Sequence, residues 1–340
     1  MRVLIIGGTN FIGPAVVASL VAGGHDITLF HRGETEPSEP LDVRHIHGDR
    51  ERIGEYVAEF RRFAPDVVID MAAMFERHAV ATAAALRGIA ARAVCISSID
   101  VYRAYGRLHG SEPGALESMP LNEDSPLREK FYPYRGERSG GRMDDYDKIL
   151  VERVFMADRE IAGTVLRLPA VHGERDYQHR LFMEVARMDA RRPSIIVPKS
   201  ALAWRWPRGY VGNVADAIAL VATHEHASGR TYHVAEHATM TQVEWVRAVG
   251  RVAGWSGEIV AMPDDMLPKH LRIPNNFAQD LVVDSSRIRR ELGYVERVSL
   301  DDGIAAAIAW ERAHPPENVE RMLDYAAEDA ALAKLARTGR

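Results

Sequence analysis

The chain has 340 residues, of which 46% are hydrophobic and 27% are charged, and it carries a formal net charge of −5 at pH 7. That length allows one large domain or two, with enough apolar surface to form a core without disulfides. The negative balance argues against nucleic acid or an anionic membrane surface as a partner. Because Cys95 is the single cysteine and no apolar run approaches the roughly 20 residues that span a bilayer, we expect a cytoplasmic protein with no membrane segment.

The first hundred residues alternate between short apolar runs and amphipathic segments. Predicted strands cover residues 3–6, 26–30, 43–47, 67–69 and 93–97, and predicted helices cover residues 11–21, 51–63 and 76–90. Repeated strand–helix units of this length predict a parallel sheet with helices on both faces. Right-handed crossovers place the carboxyl ends of the strands along one edge of that sheet, where ligands bind.

Residues 103–142 interrupt this alternation with a stretch rich in Gly, Pro, Arg and Glu, and a structureless segment of this length is usually a lid or a substrate loop. A helix over 143–160 and a strand over 164–168 follow. Further helices are predicted over 178–188, 213–224, 241–253, 285–291, 300–313 and 317–337.

These elements predict an α/β fold with a Rossmann-like doubly wound parallel sheet and a smaller C-terminal α+β substrate domain. The dinucleotide-binding domain is expected to comprise residues 1–170 and about 205–235. The substrate domain is expected to comprise about 171–204 and 236–340.

A glycine-rich turn joins the first predicted strand to the first helix. Glycine lets the backbone turn sharply and approach a pyrophosphate closely, and the free N–H groups of the helix start face the anion. The position of this turn inside a strand–helix–strand unit favours a dinucleotide site over an ordinary connection. The residues of the turn are Gly7, Gly8, Thr9, Asn10, Phe11, Ile12 and Gly13.

The turn resembles the T-G-x-x-G-x-x-G motif of extended and atypical short-chain dehydrogenases/reductases, the NAD-dependent epimerase/dehydratase family, in particular the branch with the chloroplast stem-loop-binding proteins. Gly7 and Gly13 fill the outer positions. Asn10 replaces the middle glycine, and asparagine adopts left-handed backbone angles more easily than most residues, which would preserve the turn. The resemblance covers residues 1 to about 310 and implies a nicotinamide dinucleotide as cofactor. Because members of the family often pair through helices, it also implies a homodimer.

The second strand ends in Phe30-His31-Arg32-Gly33, without the acidic residue that would accept hydrogen bonds from a ribose 2′-hydroxyl. Arg32 could pair with a 2′-phosphate, so we expect NADP, with NAD as the alternative; otherwise Arg32 is a solvated loop residue. The resemblance implies further cofactor contacts from Asp49, Arg50, Met71, Ala72, Ala73, Lys148, Pro169, Ala170 and Val171.

The segment from Cys95 to Tyr102 resembles the family's F-S-S-x-x-V-Y-G and places Ser98 at the position of a catalytic hydroxyl. Such a hydroxyl can orient a substrate oxygen, and the alternative is a serine that caps the strand end. Lys148 and Glu152 fit Y-x-x-x-K followed by glutamate, but the expected tyrosine is Asp144.

Helix geometry separates the candidate acid–base residues. In a regular helix residues 144 and 148 share a face, whereas residue 146 is rotated by about 200° from residue 144. Tyr146 could therefore act beside Lys148 only if the helix begins later or its register shifts. Asp144 next to a lysine cation would be a carboxylate at pH 7, a poor proton donor, and an Asp144–Lys148 ion pair is an equally good interpretation. Tyr102, Tyr132 and Tyr134 are other candidate donors.

Substrate contacts are expected from Ser98, Tyr102, His172 and Arg208. By the resemblance, His172 replaces a tyrosine at the pocket wall, and Arg208 matches an arginine that binds a substrate phosphate in sugar-nucleotide members. The alternatives are a packing role for His172 and a surface ion pair for Arg208. No metal site is expected, because the histidines at 45 and 47 alternate on a strand and those at 224 and 226 flank a helix end.

The leading hypothesis is an NAD(P)-dependent oxidoreductase, epimerase or dehydratase that acts on a polar, sugar-nucleotide-like small molecule. The second hypothesis is a cofactor-binding sensor or scaffold without redox catalysis, which the residue at 144 favours. RNA binding is the third, and the net negative charge argues against it.

Overall fold

The fold is organised around a seven-stranded sheet in which every pairing is parallel. The computed structural model describes residues 1–36, 41–136, 141, 143–317 and 319–338. The strands are β1 Arg2–Ile6, β2 Asp26–His31, β3 Arg44–His47, β4 Val67–Asp70, β5 Arg92–Ser98, β6 Ala162–Leu168, β7 Ala170–His172, β8 Ser194–Pro198, β9 Arg208–Tyr210, β10 Thr231–His233 and β11 Glu258–Met262.

The helices connect these strands on both faces of the sheet. They are α1 Ile12–Ala22, α2 Val57–Phe63, α3 Glu76–Leu86, α4 Arg103–Leu108, α5 Lys148–Ala157, α6 Phe182–Asp189, α7 Val211–Thr223, α8 Gln242–Ala253, α9 Ser286–Leu292, α10 Leu300–Ala313, α11 Val319–Met322 and α12 Tyr325–Thr338. Among the described residues, no helix combines the length and the apolar character needed to cross a bilayer.

The strand order of the main sheet is β10-β6-β5-β4-β1-β2-β3. The chain builds outward from β1 to β3 on one side and then returns to build β4, β5 and β6 on the other. The order therefore reverses between β1 and β4, and a doubly wound sheet opens its ligand crevice at the carboxyl ends of the strands at such a point. The predicted doubly wound sheet is confirmed.

Apolar runs explain why the central strands form where the sequence places them. Val3 to Ile6 in β1 and Val67 to Ile69 in β4 are at most 1% exposed, as expected for strands covered on both faces. Helices α1 and α7 pack on one face of the sheet, and α3 and α5 pack on the other. All five strands predicted in the first hundred residues are present, with ends that differ by at most two residues.

Several predicted helices differ at their ends. The helix predicted over 51–63 begins as a 3₁₀ segment over Arg50–Tyr56 before α2, and the one predicted over 317–337 is divided into α11 and α12. The second half also contains five strands that the sequence analysis did not predict, β7 to β11. Each has only three to five residues, which is too short for a periodic pattern.

The predicted structureless segment over 103–142 is in fact largely folded against the sheet edge. It contains α4, and the buried Arg128 donates from Nε to the Asp100 carbonyl (2.6 Å) and from Nη2 to Asp147 Oδ1 (3.2 Å). Glu112 Oε1 accepts hydrogen bonds from the backbone of Glu129 and Lys130. The polar composition suggested a solvated loop, but these charged side chains are buried because each has partners. Residues 137–140 and 142 of that segment lie outside the described residues.

Candidate active site

Two adjoining cavities form one cleft along the carboxyl edge of the sheet. The first, of ≈ 1290 Å³, lies over β1, β2 and β4, and the second, of ≈ 770 Å³, lies over the end of β5. Both are lined by Met74, Met143 and Tyr177, so they are continuous. A cleft of this length can hold an extended dinucleotide in one part and a second molecule in the other.

The glycine turn lines the first cavity from Gly7 to Ile12. Gly7 and Gly8 have φ angles of +92° and +91°, and a Cβ on Gly13 would lie 2.4 Å from the Gly8 carbonyl carbon. The turn is therefore closed in a form that only glycine allows at these positions. It delivers the N-terminus of the 11-residue α1 to the cleft, which suits a diphosphate. The residues present thus fit a nicotinamide dinucleotide.

The expected backbone role of Asn10 is wrong. The residue with a positive φ is Phe11 (φ 44°), at the cap of α1, whereas Asn10 is not among the residues with positive φ. Asn10 instead folds its side chain back, and Oδ1 accepts a hydrogen bond from the Phe11 N–H (2.9 Å). The positive φ in this part of the turn therefore occurs at Phe11, one residue after the position of the middle glycine.

Three polar residues that were expected to contact the dinucleotide line the same cavity and also have partners within the protein. They are Arg32, Asp49 and Arg50. Exposed Arg32 forms an ion pair with Glu34 (3.0 Å). Asp49 caps the following 3₁₀ segment by accepting from the Glu51 N–H. Arg50 donates with both terminal nitrogens to Asp70, at 3.0 and 3.1 Å. Burial opposes ionisation of Asp70, but the Arg50 guanidinium outweighs it and lowers the pKa of that carboxyl.

The small residues that were expected to contact the cofactor fall into two groups, because some line the cleft and others are buried behind its inner wall. Met71 and Ala72 line the first cavity, and Pro169 and Ala170 line the second. Ala73 and Val171 are instead buried behind the wall, with 0% and 3% exposure. The carbonyl of Ala73 still has a role, because it accepts a hydrogen bond from Lys148 Nζ (2.7 Å).

Lys148 is the first residue of α5, so the helix predicted from residue 143 begins five residues later. Asp147 caps it through a hydrogen bond from the Ile149 N–H, and this cap stops the helix from extending backwards. Lys148 Nζ donates to the carbonyls of Ala73 and Ile96 at 2.7 and 2.9 Å, and burial lowers the pKa of its ammonium group. Two of its three donors are therefore used.

The expected pairing of Asp144 with Lys148 is wrong, because residue 144 lies in a turn and not on the helix. Asp144 Oδ1 accepts from the Gly136 N–H (3.2 Å), and in the described part of the chain no ion pair joins Asp144 to Lys148. Asp144 also does not line either cavity among the described residues. Tyr146 could act beside Lys148 only if the helix began later or its register shifted. The first of these conditions is met, because α5 begins after residue 146.

Tyr146 lies just before α5 and lines the second cavity. Its hydroxyl donates to Asp100 Oδ2 (2.7 Å), and the hydroxyl of Tyr134 donates to the same oxygen (3.4 Å). Burial is the main reason why the pKa of Tyr146 is raised well above 10, and the nearby Asp100 carboxyl adds to it. Tyr146 therefore keeps its proton at neutral pH and is a hydrogen-bond donor.

Asp100 is a candidate functional residue that was not predicted from the sequence, and it lines the second cavity. It is 5% exposed, and its backbone N–H donates to Ser98 Oγ (3.2 Å). Burial raises the pKa of its carboxyl, and within the described residues Oδ1 has no hydrogen-bond partner. The available signal was a carboxylate between Ile99 and Val101, directly after the strand that carries Ser98. A lone acidic residue in an apolar run at a strand end favours a functional position.

Tyr102 is not at the cleft, which corrects its expected role as a substrate contact. A short 3₁₀ turn after β5 directs its side chain into the core, where it is 0% exposed. Its hydroxyl contacts His233 Nε2 and accepts from Arg167 Nη1 (2.6 Å). Arg167 in turn forms a buried ion pair with Glu152 (2.7 Å). The Tyr102 and Glu152 positions are thus part of a buried polar network behind the active site.

His172 and Arg208 line the far end of the second cavity. His172 is 1% exposed, with both ring nitrogens lacking a hydrogen-bond partner among the described residues and Nε2 lying 3.6 Å from Glu236. Arg208 packs over the Trp245 ring and donates to Gln242 Oε1 (2.9 Å). Burial lowers the pKa of Arg208 to about 10, so the guanidinium remains charged at neutral pH.

Comparison with known proteins agrees with the sequence resemblance. Residues 3–113 match the profile of the NAD dependent epimerase/dehydratase family. The chain is 28% identical over 204 residues to a dTDP-glucose 4,6-dehydratase of Streptomyces griseus, an alignment that covers 59% of this chain and 56% of that protein. It is 24% identical to a 2′-dehydrokanamycin reductase of Streptomyces kanamyceticus, over 80% of this chain and 72% of the relative.

Solved structures share the architecture. A UDP-glucose 4-epimerase from Stenotrophomonas maltophila, with bound NAD and formylated UDP-arabinopyranose, superimposes with a TM-score of 0.69 at 18% identity, covering 92% of this chain and 98% of that one. The Bordetella bronchiseptica enzyme WbmG in complex with NAD gives a TM-score of 0.67 at 20% identity, covering 92% and 94%. At these identities the likeness establishes the fold.

Proposed function

We propose that this chain, which belongs to the NAD-dependent epimerase/dehydratase family of the extended short-chain dehydrogenase/reductase type, is an enzyme that binds a nicotinamide dinucleotide and transforms a nucleoside diphosphate sugar. The dinucleotide lies against the glycine turn in the first cavity, and the sugar occupies the second. When bound, the nicotinamide would supply the hydride acceptor and donor that epimerisation, dehydration and reduction of a sugar all require.

The proposed substrate class rests on the positive charge of Arg208, which lines the second cavity. Arg208 has no carboxylate oxygen within 4 Å in the described part of the chain, although Glu184 and Glu236 act on it from farther away, and it remains charged at neutral pH. A partly buried guanidinium in this state favours a ligand with an anionic group that it can bind with two parallel hydrogen bonds. A diphosphate linked to a sugar would satisfy Arg208 while the sugar extends toward Ser98 and Tyr146, which line the same cavity.

Proton transfer at the sugar is assigned to Tyr146 and Asp100. The phenol of Tyr146 holds its one proton and donates it in a hydrogen bond to Asp100. When Asp100 is itself protonated and donates to the phenol oxygen, the O–H of Tyr146 can instead be donated to a sugar oxygen. Because burial raises the pKa of Asp100, its carboxyl can exchange a proton through Tyr146 nearer to neutral pH than an exposed aspartate could. Ser98 accepts one backbone hydrogen bond through Oγ and retains its hydroxyl proton for the same sugar oxygen.

Lys148 holds the ends of β4 and β5 together and positions the cofactor. Its two hydrogen bonds to the carbonyls of Ala73 and Ile96 fix the wall on which the nicotinamide would lie. Lys148 is 5% exposed and lines neither cavity among the described residues, so we propose that it positions the cofactor through this wall, and a contact of its third donor with the ribose hydroxyls requires the wall to open. This arrangement leaves Asp144 outside the reaction, and its hydrogen bond to the Gly136 N–H stabilises a turn.

The preferred cofactor is NADP, with NAD as the alternative. The support is local: β2 ends without an acidic residue, and Arg32 lies 59% exposed at the rim of the first cavity. A 2′-phosphate would compete with Glu34 for Arg32. We further propose a cytoplasmic homodimer in which residues 1–170 and about 205–235 bind the dinucleotide, and residues of about 171–204 and 236–340 complete the substrate site.

Turnover of nucleotide sugars tests the proposal directly. The purified chain, loaded with NADP or NAD, is incubated with a panel of UDP- and dTDP-linked hexoses, and products are separated by ion-exchange chromatography. We expect one group of these sugars to be converted. Arg208→Gln should raise KM by about 10- to 100-fold with a smaller change in kcat, because it removes a charge-assisted contact that the ground state also makes.

Two outcomes would reject this function. A chain that binds nicotinamide nucleotide tightly but converts no nucleotide sugar would instead be a sensor or scaffold. If the chain converts simple aldehydes and Arg208→Gln has no effect, the chain is an enzyme but its substrate is not a nucleotide sugar. Arg205→Gln is the matched control, since that arginine is exposed and pairs with Asp280 outside the cleft.

A further inference from the structure

Three histidines and one glutamate converge at the open edge of the main sheet, beside the mouth of the first cavity. His31 is the last residue of β2, His45 and His47 lie on β3, and Glu36 lies on the segment after β2. One coordinating atom from each of the four residues lies within 4.8 Å of the other three. His31 is buried, His45 is half-buried, and Glu36 and His47 are exposed, so the group is held by the sheet and open to solvent.

Strand register explains the convergence. In the parallel pairing of β2 with β3, His31 lies opposite His47 and Leu29 lies opposite His45. Residues two apart on a strand share a face, so the side chains of His31, His45 and His47 project to the same side. No metal site was expected from residues 45 and 47, because they alternate on a strand, but a spacing of two places both side chains on the same face of β3. The partner from the neighbouring strand could not be known without the register.

The distances match the space that a four-coordinate ion needs. His31 Nε2 is 2.7 Å from His45 Nδ1, and His47 Nε2 is 2.9 Å from Glu36 Oε1. Glu36 Oε1 is also 3.6 Å from His31 Nε2 and 3.8 Å from His45 Nδ1. A tetrahedral ion with bonds of about 2.1 Å separates its ligand atoms by about 3.4 Å. The two close pairs would need to open by about 0.5–0.7 Å to admit it.

Neighbouring backbone groups orient the rings. His45 Nε2 lies 3.1 Å from the Leu41 carbonyl, which leaves Nδ1 with its lone pair directed into the group. His31 accepts from the Gly33 N–H at Nδ1 (3.1 Å), so Nε2 holds the proton of the His31–His45 hydrogen bond. Metal binding at Nε2 would displace that proton to Nδ1, and the Gly33 contact would be exchanged for the bond to the metal.

We propose that His31, His45, His47 and Glu36 form a binding site for one divalent transition metal ion of the zinc class. Three imidazoles and one carboxylate suit Zn²⁺, Co²⁺, Ni²⁺ or Cu²⁺, whereas Mg²⁺ and Ca²⁺ prefer oxygen ligands. The ion would tie the segment after β2 to β3. It would also place positive charge next to Arg32, at the end of β2 where the adenosine ribose lies in folds of this type. The site is independent of the sugar and of the acid–base residues.

The experiment uses the full chain without a histidine tag, stripped with a chelator and dialysed. Zn²⁺ is titrated by isothermal calorimetry, and Co²⁺ is titrated by visible absorbance, which reports a tetrahedral nitrogen and oxygen environment directly. We expect one equivalent of each metal to bind. The double variant His45→Ala/His47→Ala should weaken binding by at least about 100-fold, and Glu36→Gln by about tenfold.

The matched control is His224→Ala/His226→Ala, which removes a second pair of histidines far along the chain and should leave both titrations unchanged. Glu36 is exposed, so Glu36→Gln tests the site even if the double histidine variant does not fold. Circular dichroism of each variant checks the fold. Equal uptake of Zn²⁺ by the wild-type chain and by either site variant overturns the proposal, as does a Co²⁺ spectrum that the site variants leave unchanged.

Discussion

In the dinucleotide half of the cleft the chain presents mainly backbone, whereas in the acid–base half it presents side chains. The first half is made by consecutive residues, Gly7 to Gly13, whose shape depends on local φ angles. The second half brings together Asp100, Tyr134, Tyr146 and Arg208 from four separate segments. A backbone site tolerates few substitutions, while a side-chain site can exchange one residue for another. The proposed use of Tyr146, with Asp144 at the position of the motif tyrosine, is an example of such an exchange.

The largest effect should come from the acid–base half. Tyr146→Phe removes the hydroxyl that contacts Asp100 while keeping the ring, and we expect kcat to fall by about 10²- to 10⁴-fold. Affinity for nicotinamide nucleotide should be unchanged, because that site is made elsewhere. Steady-state kinetics on the nucleotide sugar that the chain converts, with fluorescence titration of the nucleotide, measures both.

Asp144→Asn is the control for this variant and should alter kcat by less than about twofold, since Asp144 only stabilises a turn. The assignment of Tyr146 fails if the Phe variant retains wild-type kcat, or if Asp144→Asn abolishes turnover.

A second substitution tests the backbone half. Gly13→Ala would place a Cβ 2.4 Å from the Gly8 carbonyl carbon, and overpacking of this kind costs about 1–3 kcal/mol. We expect nucleotide affinity to fall by roughly 10- to 100-fold, measured by calorimetry with NADPH and NADH. Gly54→Ala is the matched control, because a Cβ there meets nothing within 4 Å. Unchanged affinity in Gly13→Ala would mean that the turn does not hold the nucleotide.

The third prediction concerns the buried network behind the acid–base half. Burial lowers the pKa of His233 from 6.5 to about 4, so the unfolded chain binds a proton in that range and the folded chain does not. Stability should therefore be complete above pH 6.5 and should fall as pH drops toward 4, by about 2 kcal/mol from pH 6.5 to pH 5.

Urea unfolding at both pH values measures this difference in the wild-type chain and in His233→Gln. The variant will be less stable at both pH values because Tyr102 loses a partner. Its unfolding should take up about one proton fewer in this range, so its free energy of unfolding should change less with pH. A variant with the same pH dependence as the wild type would show that His233 is not the titrating group.

The smallest effect is expected at the rim of the dinucleotide half. Arg32→Ala should weaken NADPH binding by about 1 kcal/mol, roughly fivefold, and leave NADH binding unchanged, because the contact to a 2′-phosphate would be exposed to solvent. Fluorescence titration of both nucleotides measures the ratio. Tighter binding of NADH than of NADPH by the wild-type chain would show that NAD is the cofactor.

Sequence patterns were sufficient where structure is local. The apolar runs of β1, β2, β4 and β5 and the glycine turn identified the sheet and the first cavity, because strand burial and turn geometry depend on neighbouring residues. The start of α5 was not predictable to the residue, since it depends on the cap by Asp147, which Arg128 from a distant segment also holds. The histidine group needed the register of β2 with β3.

Asp100 and Tyr102 show the same limit in one segment. A short 3₁₀ turn after Ser98 sends Tyr102, an expected substrate contact, into the core and leaves Asp100, for which no role was expected, at the cleft. No periodic pattern in six residues reveals a turn of this kind. Arg208 was singled out because a longer motif surrounds it, and it lines the second cavity, while its expected contact with a substrate phosphate stays a prediction.

A crystal structure of the chain with a nicotinamide dinucleotide and an unreactive nucleoside diphosphate sugar would test the central claim most directly. We predict the dinucleotide diphosphate against the N–H groups of the Gly7–Gly13 turn, and the Tyr146 hydroxyl about 2.6–3.2 Å from the reacting sugar oxygen. A complex in which Asp144 contacts the sugar and Tyr146 remains turned away would contradict it.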